Sequence, residues 1–219
     1  MYRPPIWASP QRYLNIFTIP SVLYSKHKNN YNMKGTFLFF TLILFTVEMN
    51  AQNRLTAENN KTTLEWLGEK VLGKHTGTIN LKNGWLEWND NKITGGEFTI
   101  DMISIKDDNG SAQLEGHLKS DDFFGVEKYP ESKLIITDSE TFDKGTAVVK
   151  GDLTIKGITN PVEFKATTQK KDEGTWFFAN ITVDRTKYNV RYGSGSFFDN
   201  LGDKTIYDEF KLKVNLLVK

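Results

Sequence analysis

The chain has 219 residues, a formal net charge of +1, 13% aromatic and 25% charged side chains, and no cysteine. That length and mixture suit one globular domain with a sizeable core, and they exclude a disulfide scaffold, a thiolate zinc site and a cysteine-borne lipid anchor. The first 51 positions carry five basic residues and one acid, leaving 23 basic and 26 acidic residues in 52–219, a near balance that argues against nucleic acid or an anionic membrane surface as the main partner.

Residues 1–32, rich in Pro, Asn and Tyr without periodicity, read either as translated upstream sequence or as a disordered leader. Met33-Lys34-Gly35 then opens a short basic start, residues 37–47 form an apolar run, and Met49-Asn50-Ala51 places a small residue at a cleavage position. Together, residues 33–51 have the pattern of a secretory signal peptide, and the run falls short of the ~20 apolar residues that span a bilayer. The expected product is periplasmic or secreted, without a stable membrane anchor. Residues 52–61 are expected to be a short flexible N-terminus, and residues 62–219 the folded domain.

From Thr62 onward the dominant period is two. Leu64, Trp66 and Gly68 share one face, as do His75, Gly77, Ile79 and Leu81, and then Phe98, Ile100 and Met102. The cleanest alternation sets Ala147, Val149, Gly151, Leu153 and Ile155 against Val148, Lys150, Asp152, Thr154 and Lys156. Val162, Phe164 and Ala166 continue it, residues 176–183 are apolar on both faces, and Phe210, Leu212, Val214, Leu216 and Val218 close it. Strict alternation means a sheet with one dry face. Turn signals stand at Asn83-Gly84, Asp90-Asn91, Asp143-Lys144-Gly145, Gly157, Asn160-Pro161 and Asp172-Glu173-Gly174. About eight antiparallel strands without long helical periods predict an all-β barrel or sandwich.

Residues 116–132, GHLKSDDFFGVEKYPES, interrupt the alternation. Ser120 or Asp121 can cap a short helical turn, Gly125 can end it and Pro130 stops it, so a short helical segment is predicted near 113–126. Phe123 and Phe124 on this segment either cover the mouth of an apolar interior or pin an ordinary crossover loop to the core.

No catalytic constellation assembles. Residues 68–74, GEKVLGK, match the start of a phosphate loop, but His75 stands where a Ser or Thr is needed and a strand follows where a helix is needed; a hairpin is the better reading. His75 and His117 are too few for a zinc site without cysteine, Asp121-Asp122 reads as a cap plus a solvated charge, and Gly193-Ser194-Gly195 lacks nucleophile-elbow spacing. Arg185 and Arg191 could meet an anionic ligand head; a structural latch to Asp184, Asp199 or Asp203 is preferred. No metal or cofactor is expected.

Three segments, GGEFTIDMISI (residues 95–105), GHLKSDDFFGVEKYPES (residues 116–132) and VKGDLTIKGITNPVEF (residues 149–164), resemble the YceI family in order and spacing. The resemblance covers about residues 62–219. It implies an eight-stranded antiparallel, lipocalin-like barrel that binds a polyisoprenoid, an isoprenoid quinone or a similar long-chain amphiphile without catalysis. Its channel would be lined by Phe98, Ile100, Met102, Leu153, Ile155 and Phe164, and further by Phe178, Phe210, Leu212 and Val214. Leu118, Phe123 and Phe124 would complete the ligand-binding set. The rival reading is a ligand-free module, filled by its own aromatics, that contacts a partner protein through its loops. A homodimer stays open.

Overall fold

The computed structural model describes residues 53–219, so the leader and signal-peptide readings lie outside the described residues. The elements run β1 (Arg54–Thr56), β2 (Thr63–Lys70), β3 (Gly73–Asn89), β4 (Lys92–Asp107), α1 (Ala112–Lys119), β5 (Glu131–Ser139), β6 (Thr146–Ile155), β7 (Ile158–Lys171), β8 (Gly174–Asp184) and β9 (Ile206–Val218). Strands β2 to β9 form the antiparallel order β3-β2-β9-β8-β7-β6-β5-β4, and β3 also bonds β4, which closes an eight-stranded barrel. Closure removes the free edges an open sheet would expose.

The alternation sets the inside. In β6, Ala147, Val149, Leu153 and Ile155 are all buried while Lys150 is exposed. Two-residue turns with left-handed backbone at both positions, Asp90-Asn91 and Lys156-Gly157, join β3 to β4 and β6 to β7, the geometry that matches strand twist. The glycine-flanked residues 68–74 are a hairpin between β2 and β3.

Four local expectations are corrected. Asn83-Gly84 is not a turn but lies inside β3, beside a bulge, where Gly84 pairs with Phe98 and its missing side chain leaves room for the Phe98 ring. Asn160-Pro161 lies inside β7; β8 pairs with β7 only from Ala166 onward, so the proline stands where β7 has no ladder partner on that side. The helix, Ala112–Lys119, falls on the expected segment but stops short of 126: Ser111 caps it through Leu114 N–H, and Ser120 forms its C-terminal boundary. Residues 54–57 are not a flexible lead: β1 pairs with β3, Ala57 bridges Val218, and Thr56 exchanges backbone bonds with Lys219.

The two ends of the barrel differ. At one, Trp88, Phe142 and Phe177 meet edge-to-face with ring centroids 5.1–5.7 Å apart, in the core cluster that also holds the fully buried Leu86 and Val218. The other end is covered by α1, residues 120–130 and residues 185–205. A 3-10 turn, Arg185–Tyr188, packs where β7 and β8 part, and Asn160 Nδ2 donates to Lys187 O at 3.0 Å.

Candidate functional site

The barrel interior is hollow. Its cavity measures about 210 Å³, counted as the space that the centre of a water-sized sphere can occupy. A void just large enough for one water leaves almost no such centre space, and a water's share of liquid volume is ~30 Å³, so the interior has room for on the order of seven or more waters, far beyond a packing defect.

Phe98, Ile100 and Met102 of β4 line the cavity, as do Leu153 and Ile155 of β6, Phe164 of β7, and Phe210, Leu212 and Val214 of β9. Leu118 of α1, Phe123 and Phe124 border it from above. Phe178 does not. It pairs with Thr167 and Asn215 on the outer face and stacks on Trp176, centroids 6.0 Å apart and nearly parallel. Phe177, Ala179 and Ile181 are the inward residues of β8. Leu134 and Ile136 of β5 also line the wall unforeseen, because Leu134-Ile135-Ile136 is an unbroken apolar triplet that hides its own phase.

Residues 120–130 form a lid held at several points. Lys156 Nζ donates to Asp121 O at 2.7 Å and to Phe123 O at 2.8 Å, and Met102 N–H donates to Pro130 O at 3.0 Å. Gly125, left-handed at φ +56°, turns the chain so that its N–H reaches Ser120 O. Phe123 and Val126 are buried against Trp66, Met102, Ile105 and Leu118. Phe124 is half-buried, its ring edge-on to Phe210 at 6.4 Å. The helix beneath is tied to β4 through Glu115, which accepts from Lys106 Nζ at 2.9 Å and from Asp107 N–H at 3.2 Å; these bonds hold the Glu115 carboxyl below its ordinary value.

Arg185 is a latch, with other partners than those expected. Its buried guanidinium donates to Val190 O at 2.8 Å, Tyr207 O at 3.0 Å and Ile206 O at 3.0 Å, and its nearest carboxylate is Asp208 at 3.7 Å. Burial draws the guanidinium below its ordinary value, while Asp208 and Asp184 push back. Asp208 in turn accepts from Ser196 Oγ. Arg191 lies over the Phe197 ring at 4.5 Å. Tyr188 is buried in the adjoining cluster, and desolvation, with Asp184 nearby, pushes its hydroxyl up to about 12. The histidines diverge: His75 Nδ1 lies 3.9 Å from Asp107, and His117 packs edge-on to Phe123 and Tyr192.

A long apolar space with a pinned lid can enclose a slender apolar chain. Comparison with known proteins identifies the family and the fold. The YceI-like domain profile matches residues 55–218. A UPF0312 protein of Pseudomonas putida (strain W619) is 28% identical over 153 residues, covering 65% of this chain and 78% of that protein. The crystal structure of Burkholderia cenocepacia BcnA superposes with a TM-score of 0.63 at 20% identity, over 74% of this chain and 99% of BcnA. A polyisoprenoid binding domain from Saccharophagus degradans does so with a TM-score of 0.56 at 12% identity, over 75% and 97% of the two chains. At those identities the structural likeness speaks to the fold alone.

Proposed function

This chain belongs to the YceI family, and we propose that it is an exported carrier which encloses a long-chain isoprenoid or similar amphiphile in the barrel cavity. The carrying observation is the hollow, almost wholly apolar interior beneath a pinned lid. An aliphatic and aromatic wall gains ~0.8 kcal/mol for each CH₂ it takes from water, without directional demands. Such a wall selects for width and length, and ordering costs keep affinity well below the summed transfer energy. The ligand set is Phe98, Ile100, Met102, Leu118, Phe123, Phe124, Leu153, Ile155, Phe164, Phe210, Leu212 and Val214. Its role is retention without catalysis.

The rival interaction module requires a barrel filled by its own aromatics, and the open cavity favours the carrier. Titration of the delipidated full chain with a fluorescent long-chain isoprenoid tests the choice: saturable one-to-one binding supports the carrier, and no binding overturns it. Export to the periplasm or beyond rests on residues 33–51. Sequencing of the exported protein should find Gln52 at its N-terminus, and a membrane-held product retaining Phe37 would sink the exported form.

A further inference from the structure

The cavity wall carries one buried polar group that has nothing to do. Among the described residues, three buried side-chain oxygens lack a hydrogen-bond partner: Asp107 Oδ1, Asp208 Oδ1 and Ser132 Oγ. The two carboxylate oxygens have nitrogen groups nearby, His75 Nδ1 at 3.9 Å and Arg185 Nη2 at 3.7 Å. Of the three residues, only Ser132 lines the cavity. It is 5% exposed and pairs with Ile100; it shares the inward face of β5 with Leu134 and Ile136, while Lys133 between them reaches outward to Glu97. A hydroxyl desolvated without a partner costs free energy, so this apolar stretch of wall would be served better by alanine unless something satisfies it.

We infer that Ser132 Oγ is the anchor for the polar head of the enclosed chain, and that this head is uncharged and oxygen-bearing: an alcohol, a quinone carbonyl or an amide. The inference rests on the carrier reading and adds the ligand's orientation and head chemistry. Ser132 is the second residue of β5, one residue past the lid, so it lies at the lidded end. A head bound there leaves the tail pointing to the Trp88–Phe142–Phe177 plug.

The charge at that end decides against an anionic head. Among the described residues, Arg185 is the one cationic residue on the cavity wall, and three of its N–H groups already serve backbone carbonyls. Its charge faces Asp208, and Glu209 lines the same space. A phosphate would therefore meet a single cation, already engaged by three carbonyls and by the Asp208 charge, with no second cation among the described wall residues to balance it. A neutral head asks only for the hydrogen bond that Ser132 has to offer.

The test uses the full chain with three ligands of one tail length: geranylgeraniol, its deoxy hydrocarbon and geranylgeranyl monophosphate. Wild type should bind the alcohol about five- to tenfold more tightly than the hydrocarbon, the range of one net hydrogen bond. Ser132→Ala should erase that preference, leave hydrocarbon binding unchanged and keep the ligand-free melting temperature at or above wild type. Ser132→Thr, which keeps the hydroxyl, should restore the preference. The monophosphate should bind no tighter than the alcohol. A preference that survives Ser132→Ala, a tighter monophosphate, or a clear fall in the ligand-free melting temperature overturns the anchor while leaving the carrier standing. Failure of wild type to bind any of the three overturns the carrier reading, and the anchor with it.

Discussion

Truncating an aromatic at each end of the barrel should have opposite balances of effect on stability and on ligand retention. Phe142 is 6% exposed and touches Trp88 and Phe177 edge-on at 5.1 Å and 5.7 Å, inside the larger core cluster. Phe142→Ala removes a filled position and both ring contacts, a loss of about 3–5 kcal/mol. Phe124 is half-buried, and the cavity occupies part of its surroundings, so fewer contacts exist to lose. Half of the ~1.5–3 kcal/mol for full burial, plus weakened contact with Phe123 and Phe210, gives about 1–2 kcal/mol. A domain of this size melts ~2–4 °C lower per kcal/mol, so the ligand-free fall for Phe142→Ala should exceed that for Phe124→Ala, by about two- to threefold at mid-range. The ligand's dissociation rate should order the other way, because Phe124 borders the lidded end and Phe142 the plugged end. Melting with and without ligand, alongside dissociation rates, measures both. Equal melting losses, or faster release from Phe142→Ala than from Phe124→Ala, would refute the assignment of lid and plug.

Leu153 points into the cavity and Thr154 away from it, so Leu153→Trp should displace the ligand while the barrel still melts cooperatively, and Thr154→Lys should leave binding unchanged; equal effects would contradict the facing. Lys156→Met removes both side-chain bonds to the lid and should speed ligand exchange with little change in ligand-free melting, whereas unchanged exchange would show that the lid is held by its aromatics alone. Asp208 is held below its ordinary value of 3.8: burial pushes the carboxyl up, but bonds from Ser194 and Ser196 and the charge of Arg185 outweigh it. A depressed folded value stabilises the barrel above the ordinary value and is lost as pH falls through the folded one. The melting gap between wild type and Asp208→Asn should therefore be widest near neutrality and narrow below about pH 4; a gap constant down to about pH 3 contradicts it.

Much of the inner wall was legible because period two fixes phase wherever the opposite face is polar. Ala147 to Ile155 shows this, with Lys150, Asp152 and Thr154 marking the outside. Phase was lost where both faces are apolar. In residues 176–183 the stacked Trp176 and Phe178 look as inward as Phe177, and only pairing with Asn215 and Leu216 separates them. Gly84 reads as a turn locally, yet it is the gap that receives Phe98 from the next strand. Pro161 reads as a break, yet it marks the seam between β7 and β8. The Arg185 latch was expected, but its partners Ile206, Tyr207 and Asp208 come from a strand whose register no local pattern reveals. Ser132 was hidden for the opposite reason: a lone serine in a strand is unremarked until its neighbours are known to offer it no partner.

The central claim, that the barrel carries a long apolar molecule, is tested most directly by native mass spectrometry of the full chain purified under mild conditions, followed by organic extraction. The account predicts a protein peak heavier than the polypeptide by the mass of one long-chain amphiphile, with the same mass released on extraction. It also predicts that this mass is lost from Leu153→Trp. A wild-type peak at the polypeptide mass alone, unshifted after incubation with isoprenoid lipid, would contradict it.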